Sequence, residues 1–306
     1  MQCELVVAIC TLNRPDGLRI LLTELHSQLK LLGTQTLVLV VDNSTDGNAI
    51  WVKSDPLIGP LVEYLHVNHG GLSSARNAAI DFARKLRTAL AFIDDDEVPH
   101  EKWLNTAQSV NLFSNNEILA GPVIPDFGNN EWDPSLVIKY WGRQTRGNGD
   151  LVAGFVGDGN IVYPSSLMLS GLEYSQDFSF TGGQDTDFLL RAKKMGYKIR
   201  NLNDLAVTER VPPFRQSLSY LFDRSFHSSS SWVAVNIANG EPKHRLLLSI
   251  VKRSILVVFY GILWFVTRSA EKKIMLSIHA ASVKGSIFGL KGKQVNRYVR
   301  YQNEKG

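Results

Sequence analysis

Residues 89–97 run an apolar stretch, Ala-Leu-Ala-Phe-Ile, straight into Asp94-Asp95-Asp96-Glu97. Four adjacent carboxylates repel one another, and few folds can hold them at the end of a buried strand. One that can is an open α/β sheet, whose ligands bind beyond the carboxyl ends of its parallel strands. A divalent cation there reverses the repulsion, because its charge stabilises the carboxylates it touches. Hard oxygen donors suit Mg²⁺ or Mn²⁺, and Mg²⁺ commonly sits on one or two carboxylates plus substrate phosphates. The tetrad by itself leaves a second reading open, a solvated acidic turn.

The surrounding chain fits the sheet. Apolar runs at Leu5–Cys10, Thr36–Val41, Ala89–Ile93 and Ile118–Ile124 read as strands, and so does Leu61–Val67. Helical spacing separates them: from Pro15 and Asp16 through Leu29, from Leu72 to Leu86, and around Trp103–Phe113. Strands alternating with helices predict an α/β fold, a doubly wound and mostly parallel sheet with right-handed crossovers. Thr11 and Arg14 follow the first strand, Asp42 the second and the tetrad the fourth, so all would converge on one sheet edge. No glycine fingerprint follows the first strand and no Gly-Lys-Ser/Thr occurs, which excludes NAD enzymes and P-loop NTPases. What remains is a nucleotide held by side chains, with its diphosphate on a metal.

Two later segments stand out. Residues 126–160 are rich in Gly, Asn and Asp and predict loops. Then Thr181-Gly182-Gly183-Gln184-Asp185-Thr186-Asp187 opens a helix over Asp185–Met195. Its glycines let backbone approach a ligand. Its carboxylates are either ordinary helix-start stabilisers or, for a sugar-transfer reaction, a source of the general base. Arg76, near the start of the 72–86 helix, is likewise an ordinary surface cation unless the tetrad beside it binds nucleotide.

Charge divides the chain. Residues 1–242 carry 20 Lys/Arg and 27 Asp/Glu, whereas residues 243–306 carry 13 Lys/Arg against Glu271 and Glu304 alone. A basic tail points to an anionic partner. The uncharged run Ser254–Thr267, edged by Lys252, Arg253 and Arg268, is shorter than the ~20 residues of an ordinary span. With Tyr260 and Trp264 it suits the interface of an anionic leaflet better than nucleic acid; a buried core helix is the alternative. Cys3 and Cys10 form no disulfide framework, and no basic leader precedes the first strand, so a reducing, cytoplasmic setting is expected.

The succession Cys10-Thr11-Leu12-Asn13-Arg14-Pro15, Val41-Asp42-Asn43-Ser44, Ser74-Ala75-Arg76-Asn77, Phe92–Glu97 and Gly182–Asp187 resembles the family 2 glycosyltransferases of the GT-A fold. Within them it is similar to bacterial exopolysaccharide glucosyltransferases of the succinoglycan type, whose tails resemble Ser286–Lys291. The resemblance implies a GT-A domain over 1–240, with a nucleotide-binding half at 1–125 and an acceptor half at 126–240. A helical, membrane-associating region at 241–306 would follow. It implies that Thr11, Asn13, Arg14, Asp42, Arg76, Asp94 and Asp95 contact the nucleotide sugar. Asp96 would hold Mn²⁺ or Mg²⁺, with Asp94 and Glu209. Asp185 takes the catalytic base position, and Arg215 and Arg224 could steady a diphosphate in the donor or acceptor. Two departures matter: Gln184 stands where the family usually has Glu, and Thr208 replaces a histidine.

The expectation is an inverting, metal-dependent glycosyltransferase. It would use a UDP-linked donor and a glycan or lipid-linked oligosaccharide acceptor, at the cytoplasmic face of the inner membrane and without nucleic acid. A nucleotidyltransferase and a non-catalytic sugar-nucleotide-binding scaffold are its rivals.

Overall fold

The computed structural model describes residues 3–32, 36–68, 70–128, 147–152 and 156–293. Much of the predicted loop region, residues 129–146 and 153–155, lies outside the described residues, as do residues 294–306. In chain order the main elements begin with β1 (Leu5–Thr11), α1 (Pro15–Leu32), β2 (Thr36–Asp42), β3 (Val62–His66), α2 (Gly71–Leu86), β4 (Ala89–Ile93) and β5 (Glu97–Pro99). Next come α3 (Trp103–Gln108), β6 (Glu117–Ala120), β7 (Val123–Asp126), β8 (Asn160–Tyr163), α4 (Ser165–Leu169) and α5 (Gln184–Lys194). The last are β9 (Lys198–Asn201), β10 (Val207–Arg210), α6 (Leu218–Ala238), α7 (Lys243–Thr267) and α8 (Ala270–Leu290).

The chain divides into two compact units. The first holds the described residues up to 128, from 147 to 179 and from 188 to 210; the second holds 180–187 and 211–293.

In the first unit a seven-stranded sheet has the order β3-β2-β1-β4-β8-β6-β9. Strands β3, β2, β1 and β4 run parallel, while β8 is antiparallel to both β4 and β6. Leu5, Val7 and Ile9 pack with Leu18, Leu21, Leu22 and Leu25 of α1. Val6 and Ala8 pack on the other face with Ala75, Ala79, Ile80 and Ala83 of α2. Burial on both faces is why these strands read as continuous apolar runs.

The strand expected over Ile118–Ile124 is instead two strands in two sheets: β6 joins the large sheet and β7 a small one of order β5-β10-β7. Between them Gly121 lies against the Leu205 carbonyl, where a Cβ would clash. Pro122 has no N–H for a ladder, so pairing is broken there and the chain changes sheets.

In the second unit α6 begins at Ser217, whose hydroxyl accepts the Tyr220 N–H at 3.2 Å. Helix α8 packs on α6 through Ala281, Ser282, Gly285, Ser286 and Gly289, all buried. A Cβ on Gly285 would collide with the Phe226 carbonyl, and one on Gly289 would sit 2.6 Å from that of Ser230. This four-residue glycine spacing permits backbone contact between helices. The expected boundary at residue 240 falls inside this unit, since α6 packs with the tail. Helix α7 has Leu246 and Ile250 buried, while Ile255, Val258, Ile262, Phe265 and Val266 are exposed, Val266 to 72%. The buried-core reading of this helix therefore does not hold.

Candidate active site

The parallel strands deliver their last residues to one edge. Thr11 of β1 and Asp42 of β2 are register partners, and the Asn43 N–H donates to the Thr11 carbonyl at 2.9 Å. Asp42 organises the turn after β2. Its Oδ1 accepts the Ser44 N–H at 2.9 Å, and its Oδ2 accepts the Ala49 N–H at 2.7 Å and the Tyr64 hydroxyl at 3.0 Å. Burial works to raise the Asp42 pKa, but these donors, led by the Ala49 N–H, hold it below the usual carboxylate range. Asn13 sits in the left-handed region at φ 55°, which asparagine tolerates better than most residues. Its side-chain oxygen accepts from Asn48 Nδ2 at 2.9 Å.

The acid tetrad splits by burial. Asp95 is buried; it accepts the Thr11 hydroxyl on Oδ2 and Arg14 Nη1 on Oδ1, each at 2.8 Å. The same Arg14 nitrogen reaches Asp96 Oδ2 at 2.8 Å. Burial pushes the Asp95 carboxyl up to about 6 against the pull of Arg14. Glu97, also buried, accepts the Asp94 N–H at 3.2 Å and closes the turn. Asp94 and Asp96 keep 43% and 24% of their side chains exposed. Part of the counter-charge the tetrad requires is thus supplied by the chain itself.

The second guanidinium is Arg76, 3% exposed, with Nη2 at 3.5 Å from Asp94 and Nη1 at 2.6 Å from Asp158. Phe92 and Tyr174 box it in, with ring centroids 5.7 and 5.6 Å away. Burial is the largest influence and disfavours its charge, but Asp158 and the other groups around it, Asp94 among them, together outweigh it, so its pKa is raised. Asp158 was not singled out in the sequence because it lies among loop residues. Its signal is a carboxylate between two glycines, Gly157-Asp158-Gly159, directly ahead of a strand. Because β8 is antiparallel, its first residue, Asn160, pairs with Ile93, the last of β4. A strand start thereby reaches the edge where the parallel strands end.

Glu209 lies on β10 opposite Glu97, and the Arg210 N–H donates to the Asp96 carbonyl at 3.3 Å. The remaining expected residues belong to the second unit. Gly182 and Gly183 adopt φ of 81° and 96°, and a Cβ on Gly183 would sit 2.9 Å from Val235 Cγ2. That turn starts α5, where Asp185 Oδ1 accepts the Thr186 N–H at 2.7 Å. Asp187 is buried and accepts Asn239 Nδ2 at 2.7 Å. The Gln184 Oε1 atom is buried and accepts no hydrogen bond from the described residues. The Arg215 guanidinium lies 5.8 Å from the Phe214 ring centroid, and Arg224 lies on α6.

No group of three or more His, Cys, Asp or Glu is arranged to hold a metal ion among the described residues. Two partly open carboxylates, Asp94 and Asp96, do fit Mg²⁺ or Mn²⁺ when substrate phosphates complete the coordination. Room beside Asp94 depends on Gly159, where a Cβ would run into that carboxylate.

The family model for glycosyl transferase family 2 matches residues 6–167, more than half of the chain. This chain belongs to glycosyltransferase family 2. The succinoglycan biosynthesis protein ExoM of Rhizobium meliloti (strain 1021) is 25% identical over 240 residues, 74% of this chain and 72% of that one. Crystal structures of S. aureus TarS residues 1–349 share the fold. One superposes with a TM-score of 0.51 at 13% identity, covering 95% of this chain and 92% of TarS. Another, in complex with UDP-GlcNAc, gives 0.51 at 14% over the same shares. The fold is GT-A-like.

Proposed function

We propose that this glycosyltransferase moves a sugar from a UDP-linked donor onto a glycan acceptor and inverts the anomeric centre. The observation that carries the reading is the convergence of Thr11, Asp42 and the acid tetrad at one sheet edge. The kinship with a succinoglycan biosynthesis protein supports the glycan acceptor. The UDP and UDP-GlcNAc complexes of TarS support the donor class.

Thr11, Asn13, Arg14, Asp42 and Asp95 would shape the nucleotide pocket, and Arg76 would act from behind it. Asp96 and Asp94, with Glu209, would hold Mn²⁺ or Mg²⁺, which when bound neutralises charge on the departing diphosphate. Arg215 and Arg224 would steady a diphosphate as cationic donors. Asp185 removes the proton from the acceptor hydroxyl as that oxygen bonds to the anomeric carbon. The bond from that carbon to the diphosphate oxygen breaks on the opposite side, so an α-linked donor yields a β-linked product.

The acceptor we favour is a lipid-linked oligosaccharide at the cytoplasmic face of the inner membrane, with α7 lying in the interface. Helix α7 is long and apolar enough to cross a membrane by length and composition. However, Leu247, Leu248 and Val251 are cut off by Lys252 and Arg253, and the uncharged run with the other exposed apolar residues lies between Lys252 and Arg268, about 24 Å apart along a helix. That is short of the ~30 Å hydrocarbon core. An interfacial position with both cationic ends among anionic headgroups fits this spacing better. The apolar face also favours membrane over nucleic acid.

The test is a screen of UDP- and GDP-sugars with Mn²⁺. Release of UDP is expected, lost in Asp96→Ala and reduced by about 10²–10⁴-fold in Asp185→Asn, the usual worth of general base catalysis. Pyrophosphate as the product would establish nucleotidyl transfer instead. Tight binding with no turnover would make the chain a scaffold, and full activity in EDTA would remove the metal from the reaction.

A further inference from the structure

Arg76 is a deeply buried cation at the strand edge, 3% exposed, and two carboxylates compete for it. Its ion pair with Asp158 is short, 2.6 Å, and both side chains are 3% exposed; its approach to Asp94 is longer, 3.5 Å, and Asp94 is half open to solvent. The guanidinium is not well satisfied, since neither Nε nor Nη1 has an aligned hydrogen-bond acceptor. It is held by charge, by the Phe92 and Tyr174 rings and by one long hydrogen bond that Nη2 donates to Asp94 Oδ1 at 3.5 Å. Tyr174 is fixed in turn, stacked on Phe188 at 4.2 Å and with its hydroxyl 3.2 Å from that of Tyr163. A buried cation in such a box has little freedom except to lean towards one carboxylate or the other.

We infer that Asp158 is a positioning residue for the donor site: by drawing Arg76 onto itself, it keeps the guanidinium from clamping Asp94. The inference rests on the reading that Asp94 serves the nucleotide diphosphate. Asp158 itself touches no substrate in this account. It lies two residues ahead of β8, an antiparallel strand whose first residue, Asn160, pairs with the end of β4, so the sheet fixes the chain beside it. Removing its charge leaves Arg76 with Asp94 as the remaining one of these two carboxylates. A movement of well under 1 Å would then turn a loose approach into a tight pair, and the carboxylate that should meet the ligand would be occupied.

The test is UDP binding by calorimetry, with and without Mn²⁺, on the full-length protein, with thermal unfolding recorded for each variant. Asp158→Asn should weaken UDP binding by about tenfold or more, in the range of coupling within one ion-pair network. The double variant Arg76→Gln with Asp158→Asn removes the clamp together with its restraint. Its UDP affinity should lie within about threefold of that of Arg76→Gln alone, so that Asp158→Asn costs nothing further once Arg76 is gone. Asp158→Glu, which keeps the charge, should bind nearly normally. A merely structural role would make Asp158→Asn cost as much in the Arg76→Gln background as in the unmodified protein, and that result overturns the inference. So does unchanged binding in a folded Asp158→Asn. If Asp158→Asn does not fold, the double variant is set against Arg76→Gln: equal binding supports the inference and a further tenfold loss refutes it. Absence of UDP binding by the unmodified protein would instead overturn the donor reading, and this inference with it.

Discussion

Strand β1 of the first unit and helix α7 of the second are built from the same kinds of residue and use them in opposite ways. Leu5, Val6, Val7, Ala8 and Ile9 are all fully buried, odd positions facing α1 and even ones facing α2. In α7, Leu246 and Ile250 are buried, whereas Ile255, Val258, Phe259, Ile262, Phe265 and Val266 are exposed. Apolar content alone therefore does not say what is core. What decides is whether a second layer of the same chain covers the residue.

That contrast is open to direct attack. The largest effect should come from Val7→Asp, which buries an unpaired charge between two helical layers; loss of the folded state by circular dichroism is expected. Ile262→Asp in α7 should shift stability in water by no more than about 0.5 kcal/mol, while sharply reducing sedimentation with anionic vesicles. Equal damage from both would erase the contrast. Next, Gly285→Leu should cost roughly 1–3 kcal/mol by overpacking α8 on α6. Hydrogen exchange should show that loss in the second unit and leave β1 and β4 protected.

A smaller effect concerns salt. Each cation near an anionic surface contributes on the order of 1 kcal/mol, and salt screens that attraction. Vesicle binding should therefore weaken from low to high ionic strength. A remainder should persist through Phe259, Trp264 and Phe265, and its disappearance would reduce α7 to a purely electrostatic contact. The smallest effect is in the first unit. Because Asp42 has a folded pKa below its unfolded value, its contribution to stability is complete above pH ~4. It is lost as pH falls through the lower folded value. Asp42→Asn should flatten this acid limb of a urea-denaturation series; an unchanged limb would remove Asp42 as its source.

Strands β1, β2 and β4 were legible because each is an apolar run with a polar residue at or just past its end, and burial on both faces produces that pattern; β3 is weaker, with Glu63 and His66 exposed. The edge that gathers Thr11, Asp42 and the tetrad followed from the same rule. Strand β8 escaped because the rule looks only at carboxyl ends, and an antiparallel strand brings its amino end to the same edge. Asp158 was missed with it. The short strands β5 and β10 offer three and four residues each, too few for periodicity to register. The arginine counter-ions were hidden for another reason. Arg14 and Arg76 lie more than 75 positions from Asp95 and Asp158 respectively, and no local pattern reports such pairing. The expected strand over 118–124 failed at Gly121-Pro122, where a carbonyl from residue 205 decides the break.

The glycine seam between α6 and α8 has a consequence for how the second unit meets its surroundings. A joint made by backbone touching backbone is held by dispersion and shape, not by the expulsion of water. Hydrocarbon does not dissolve such a joint, whereas it would remove the driving force that keeps leucines of an ordinary bundle together. The two helices can therefore pass from an aqueous to an oily setting with the same packing. The sheet of the first unit, which depends on water outside to keep its core inside, has no such indifference.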